Sequence, residues 1–242
     1  MPSGQRRAPQ PHGSPGYIRI DRGHQGDQDG VHGGYHINAV DWVTQFQRVA
    51  TCEKIREASL LPVIRQRWEG FPCVLLGFHA DHGSESINDQ VATLLEKLRI
   101  EFTKSRPRHS HDNALAESKN GTVVRKHRGT AHIPQHGASL VHAFCADFRN
   151  PYGNFHRPCF FPETSTEAKG KERTRSRYED RHTPYEKLKA LSPTRQHLNP
   201  GVTVEHLDAI AVRISDHAAA LALNHARRTL FQAIAGAIRK QA

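Results

Sequence analysis

HADHGSESINDQVATLLEKLRIEFTKSRPRHSHDNALAESKNGTVVRKH, residues 79–127, carries the strongest pattern in the chain. Just before it, Val74, Leu75, Leu76, Gly77 and Phe78 form an apolar run that predicts a buried strand. Asp81 falls where that strand meets a Gly-Ser turn. Ile87–Leu98 has helical spacing at Val91, Leu94, Leu95 and Leu98, and Ile100–Lys104 reads as a strand. Ser110 or Asp112 can cap a further helix, predicted over Asp112–His127, that carries Glu117. About thirty-five residues separate Asp81 from Glu117, room for one helix and one strand of ordinary length. Two carboxylates, one at a strand end and one on a later helix, can face each other across such a unit. Hard oxygen ligands on rigid elements suit Mg²⁺, and a pair of ions supports in-line phosphoryl transfer.

Working outward toward the N-terminus, Tyr17–Asp21 predicts a strand ending in a carboxylate. RGHQGDQDGVHGG follows as a long glycine-rich connection, with Asp27 and Asp29 read as solvated turn residues. Tyr35–Val40 and Phe46–Cys52 predict two more strands with a turn between them, so three sequential strands form a meander. Ile55–Glu69 has helical spacing at Leu60, Leu61, Ile64 and Trp68 despite Pro62, and a last core helix is predicted from Gln135 to Phe148. Periodicity by itself supports a mixed α/β class.

The frame Asp81-His-Gly-Ser followed by Asp112-Asn113-Ala114-Leu115-Ala116-Glu117-Ser118 resembles the second half of the catalytic core of DDE transposases and retroviral-type integrases, above all bacterial insertion-sequence transposases. The resemblance runs from about Gly16 to about Leu191, although Ser86 stands where the family has an aromatic residue. It implies a ribonuclease-H-like fold: a mixed five-stranded sheet flanked by helices, here with a helical C-terminal extension. It also implies three converging carboxylates. The matching positions are Asp21 in YIRID, Asp81 in FHADHGS and Glu117 in DNALAES, both catalytic and metal-binding, holding two Mg²⁺ (or Mn²⁺) ions. Asp41, after INAV, is the rival for the first position; its other reading is a turn residue bonded to nearby backbone.

The implied activity is DNA strand cleavage and strand transfer in transposition. DNA, both element ends and target, is the expected partner. A homo-oligomer in the bacterial cytoplasm, associated with the nucleoid, is expected. The family carries a helix-turn-helix before the core, for which residues 1–15 leave no room. A truncated, non-transposing DNA-binding remnant is therefore the alternative. A nuclease of the same fold acting on RNA–DNA hybrids is disfavoured by the Asp-Asn-x-x-x-Glu pattern.

Composition agrees with a polyanionic partner. Thirty-four Lys and Arg against 24 Asp and Glu give a net charge of +10 and a pI of about 9.8. Lys104, Arg106, Arg108, Lys119, Arg125 and Lys126 surround Glu117 in sequence and are the expected phosphate contacts. The four cysteines form no Cys-x-x-Cys pair, and Pro134 breaks the helical spacing of His132 and His136, so no zinc site is read. His79, His109 and His111 are read as polar rim residues. Gly121, four residues after Glu117, marks either close approach of DNA or another backbone, or a tolerated helix glycine. No apolar run approaches the roughly 20 residues of a membrane span, and no membrane partner is expected.

The predicted segments are a disordered arm at 1–15, the core at 16–150, a tail with a basic insertion at 151–200, and C-terminal helices at 201–242.

Overall fold

The computed structural model describes residues 5–6, 11–54, 70–80, 95–96, 100–106, 114–119, 121, 126–161, 163–166, 172–175 and 178–239. Its strands are β1 (Gln5–Arg6), β2 (Tyr17–His24), β3 (Asp27–Gln28), β4 (Val31–His32), β5 (Tyr35–Asp41), β6 (Gln47–Cys52), β7 (Gly77–Ala80), β8 (Glu101–Lys104), β9 (Cys159–Phe160), β10 (Glu163–Thr166), β11 (Glu172–Arg175) and β12 (Arg181–His182). Its α-helices are α1 (Ala114–Lys119), α2 (Lys126–Arg128), α3 (Ala138–Phe144), α4 (Pro184–Lys189), α5 (Val204–Val212) and α6 (Asp216–Arg239). Among the described residues no helix is long and apolar enough to cross a membrane.

The main sheet runs β1-β8-β7-β2-β5-β6. The meander β2-β5-β6 is antiparallel, and β7 and β8 join it in parallel on the far side of β2. A three-stranded antiparallel meander extended by two parallel strands, with helices packed on it, is the ribonuclease-H-like arrangement. Gln5–Arg6, inside the expected N-terminal arm, adds a two-residue parallel edge beside β8.

Strand alternation explains the layering. Ile18 and Ile20 of β2, Ile37 and Ala39 of β5 and Ala50 of β6 enter one core with Phe46, Phe71, Phe78 and Leu95. Val49, on the other face of β6, enters a second core with Val141 and Phe144 of α3 and Leu223, Leu230 and Ile234 of α6. A third cluster joins Tyr185, Leu188, Leu198 and Leu207. Thr183 opens α4 as a capping box with Glu186, Pro184 following it at the first helical position.

Several element ends differ from expectation for identifiable reasons. β2 continues to His24 because its pairing with β5 runs on to Tyr35. The strand expected at Val74–His79 starts only at Gly77, since Val74 donates to the His197 carbonyl and Leu76 to that of Gly16. Of the predicted Ile87–Leu98 helix only Leu95 and Glu96 are described, both helical; Ile55–Glu69 lies outside the described residues. The Gln135–Phe148 helix is a 3₁₀ turn at Gln135–Gly137, then α3, then a π-helical turn at Cys145–Arg149. Part of the basic insertion forms an antiparallel hairpin, β10–β11.

Candidate active site

Asp21 sits on the central strand. In β2 Ile18 and Ile20 point into the core, so Arg19 and Asp21 take the other face. Its parallel neighbour β7 ends in register, Ile20 opposite Ala80. Asp21 is half-buried, and one of its oxygens accepts the Arg22 backbone N–H at 2.8 Å. It lines a cleft of about 640 Å³ together with His24, His36, Gly121 and Thr130. Helix α1, which carries Glu117, packs over β2 and β5. Asp21 and the segment following the Glu117 helix therefore border one cleft. Asp81 lies outside the described residues, as do Arg108, His109, His111 and Arg125. Gly121 is exposed, with nothing within 4 Å of the place a Cβ would occupy, so no described part of the chain demands glycine there.

Asp41 occupies a different end of the sheet, paired with Ile18 rather than beside Asp21. It is fully buried. Its carboxylate accepts the N–H of Gly16 at 2.6 Å, of Thr44 at 2.7 Å and of Val43 at 3.1 Å, and the Thr44 hydroxyl at 2.7 Å. Burial pushes the carboxyl up, and the donors pull it down. This is the turn reading: Asp41 closes the β5–β6 hairpin and holds Gly16 at the start of β2. Gly16 has φ +107°, and a Cβ there would lie 2.1 Å from the Val74 carbonyl oxygen, so only glycine fits.

The expected cations separate into two kinds. Lys104 ends β8 opposite Ala80, so it lies toward the same end of the parallel strands as Asp21. Arg106 and Lys126 are exposed. Lys119 instead is buried, its ammonium 2.9 Å from the Cys159 sulfur, and burial pushes its pKa down. Cations absent from the sequence reading gather nearby. Burial first, then the charges of Arg149, Arg157, Arg227 and Lys126, hold the His127 imidazole at about 4. Arg149 and Arg157 flank one stretch of helical turns and Arg227 comes from α6, and no local pattern announces their meeting. His79, read as a rim residue, is buried between β7 and β8, with Nδ1 2.8 Å from the Thr103 hydroxyl and Nε2 3.1 Å from that of Ser105.

A second group was hidden in the glycine-rich connection. Asp27, read as a solvated turn residue, lies in the β3–β4 hairpin between His24 and His32. The signal available in sequence was the spacing His-x-x-Asp-x-x-x-x-His around the turn.

For metal chemistry, Asp21 offers hard oxygen donors, partial exposure and a roomy, partly polar cleft, which fits Mg²⁺ or Mn²⁺.

No family model matches the chain. In sequence it is similar to an uncharacterized protein, y4rM, of Sinorhizobium fredii (strain NBRC 101917 / NGR234), with 25% identity over 147 residues, 60% of this chain and 42% of that protein. The chain thus spans less than half the length of this relative. In structure it is similar to the catalytic core domain of BIV integrase, with a TM-score of 0.38 and 14% identity, covering 53% of this chain and 81% of that one. At that level the strand order, not the likeness, defines the fold.

Proposed function

We propose that the chain is the core of a DDE-type DNA transposase, which cleaves DNA strands and transfers them to target DNA. One observation carries this reading. Ile20 and Ala80 are in register on adjacent parallel strands, and an aspartate follows each in sequence. Neighbouring strands lie about 4.8 Å apart, so the register of Ile20 and Ala80 supports a shared site for the aspartates that follow them. The helix bearing Glu117 packs over the first of these strands.

Asp21, Asp81 and Glu117 would hold two divalent ions. When bound, such ions supply activation of water or a 3′-hydroxyl and stabilisation of the leaving oxygen. The chain's own part is to fix the carboxylates on rigid elements and to hold the DNA. Lys104, Arg106 and Lys126, with Arg108 and Arg125, would take phosphates along the cleft edge. Arg149, Arg157 and Arg227 extend that positive field. The substrate reading makes the partners element ends and target DNA. It implies a homo-oligomer that brings ends together, and a bacterial cytoplasmic protein at the nucleoid.

The test is a cleavage and strand-transfer assay of the full chain with labelled element-end duplexes and Mg²⁺ or Mn²⁺. Metal-dependent nicking is expected, reduced to background by Asp21→Asn, Asp81→Asn or Glu117→Gln, and abolished by chelator. Nicking that survives all three substitutions would overturn the assignment. DNA binding without any nicking would leave a non-transposing DNA-binding protein.

A further inference from the structure

The hairpin between β2 and β5 brings together three side chains that the cleavage reading does not use. His24 Nε2 lies 3.2 Å from Asp27 Oδ2, and His32 Nδ1 closes on the other oxygen, Asp27 Oδ1. One donor atom from each residue falls within 4.8 Å of the others. The two imidazole rings are 4.3 Å apart, and Tyr35 meets both edge-on at 6.3 Å. All three ligand groups are exposed, so an incoming ion has access.

The backbone holds these donors in place without help from the ligands. Gln25 N–H donates to the Gly34 carbonyl and Gly33 N–H to that of Gly26, both at 3.0 Å. Gly34 N–H donates to the Ile133 carbonyl at 2.8 Å. The Gln25 amide donates to the Gly129 carbonyl at 2.8 Å and to Ala131 at 3.2 Å, tying the hairpin to the segment before α3. Gly26, at φ +68°, passes so close to His132 that a Cβ would lie 2.6 Å from its backbone nitrogen. Such a scaffold pre-orients ligands, and a mobile surface loop does not.

We propose that His24, Asp27 and His32 form a mononuclear site for a transition-metal dication of the Zn²⁺ type. Two imidazole nitrogens and one carboxylate oxygen are the donor set that Zn²⁺ and its neighbours prefer, whereas Mg²⁺ prefers oxygen alone. Exposed His–Asp pairs contribute little by themselves, so two histidines sharing one carboxylate is the feature that asks for an ion. Three protein ligands leave a coordination position open. His24 also lines the cleft that holds Asp21, so an ion here fixes the hairpin against that cleft. The site does not depend on what Asp21 does.

The full chain, stripped with chelator and kept in millimolar Mg²⁺, is titrated with Zn²⁺ by calorimetry and with Co²⁺ by visible absorption. One equivalent is expected, with Co²⁺ bands of a site of low coordination number. His24→Ala, His32→Ala and Asp27→Asn should each weaken binding at least about tenfold. The ligands are exposed, so these variants keep the fold; far-ultraviolet circular dichroism checks this. With 18 histidines in the chain, the comparison of variants decides the matter. No binding by the parent chain, or equal binding by His24→Ala/His32→Ala, overturns the proposal.

Discussion

Asp21 and Asp41 show one side-chain type in two settings, and substitution should separate them. Asp21 is half-exposed on a cleft, so Asp21→Asn removes anionic charge with little effect on folding. Asp41 is fully buried and satisfied by three backbone N–H groups and one hydroxyl. In Asp41→Asn the new amide would face the Gly16 N–H donor. A donor meeting a donor leaves buried polar groups unpaired, which costs about 1–3 kcal/mol. Urea unfolding should show that loss for Asp41→Asn and none for Asp21→Asn. Cleavage should be lost only in Asp21→Asn, at a temperature where both variants are folded. An unchanged midpoint for Asp41→Asn would mean that its hydrogen bonds hold nothing. In the sequence the two residues look alike, since each ends an apolar run. Register distinguishes them: Asp21 follows Ile20, the partner of Ala80, while Asp41 pairs back to Ile18.

At the level of elements, the edge strand β6 is closed by side chains rather than by another strand. Asn154 accepts from the Gln47 N–H and donates to the Gln47 carbonyl, both at 2.8 Å. Asn150 does the same at Val49, at 3.0 and 3.1 Å. Two primary amides thus mimic the peptide groups of a missing strand and blunt an exposed edge. Asn154→Ala or Asn150→Ala should each destabilise by about 1–3 kcal/mol. Amide exchange at Gln47 and Val49 should quicken ahead of the rest of the sheet, and uniform exchange would contradict this role. Strands β2, β5 and β6 were legible because their apolar alternation is local. The bracket by Asn150 and Asn154 was not, because it joins residues about a hundred positions apart. The β3–β4 hairpin was also missed: its polar, glycine-rich text reads as loop, and its shape is set by contacts to the Gly129–Ile133 segment.

For the whole molecule, net charge was legible but its distribution was not. The +10 excess predicts a polyanion, yet Lys119 is buried on Cys159 while Arg227 of α6 reaches the vicinity of His127. On the proposed function the chain should bind duplex DNA through phosphates, with exposed cations such as Arg106 and Lys126 as the groups to meet it. Phosphate contacts position a protein on DNA without reading its sequence. Affinity should therefore differ little between element-end and scrambled duplexes. With about five phosphate contacts, the log–log salt dependence should have a slope of about −4.5. Arg227→Gln should lower that slope by about one and weaken both duplexes equally. Fluorescence anisotropy across a salt series measures all three quantities. A clear preference for element ends would place a base-reading surface within this chain, with α5 and α6 as the helices to test, and a preference lost in Arg227→Gln would assign it to α6.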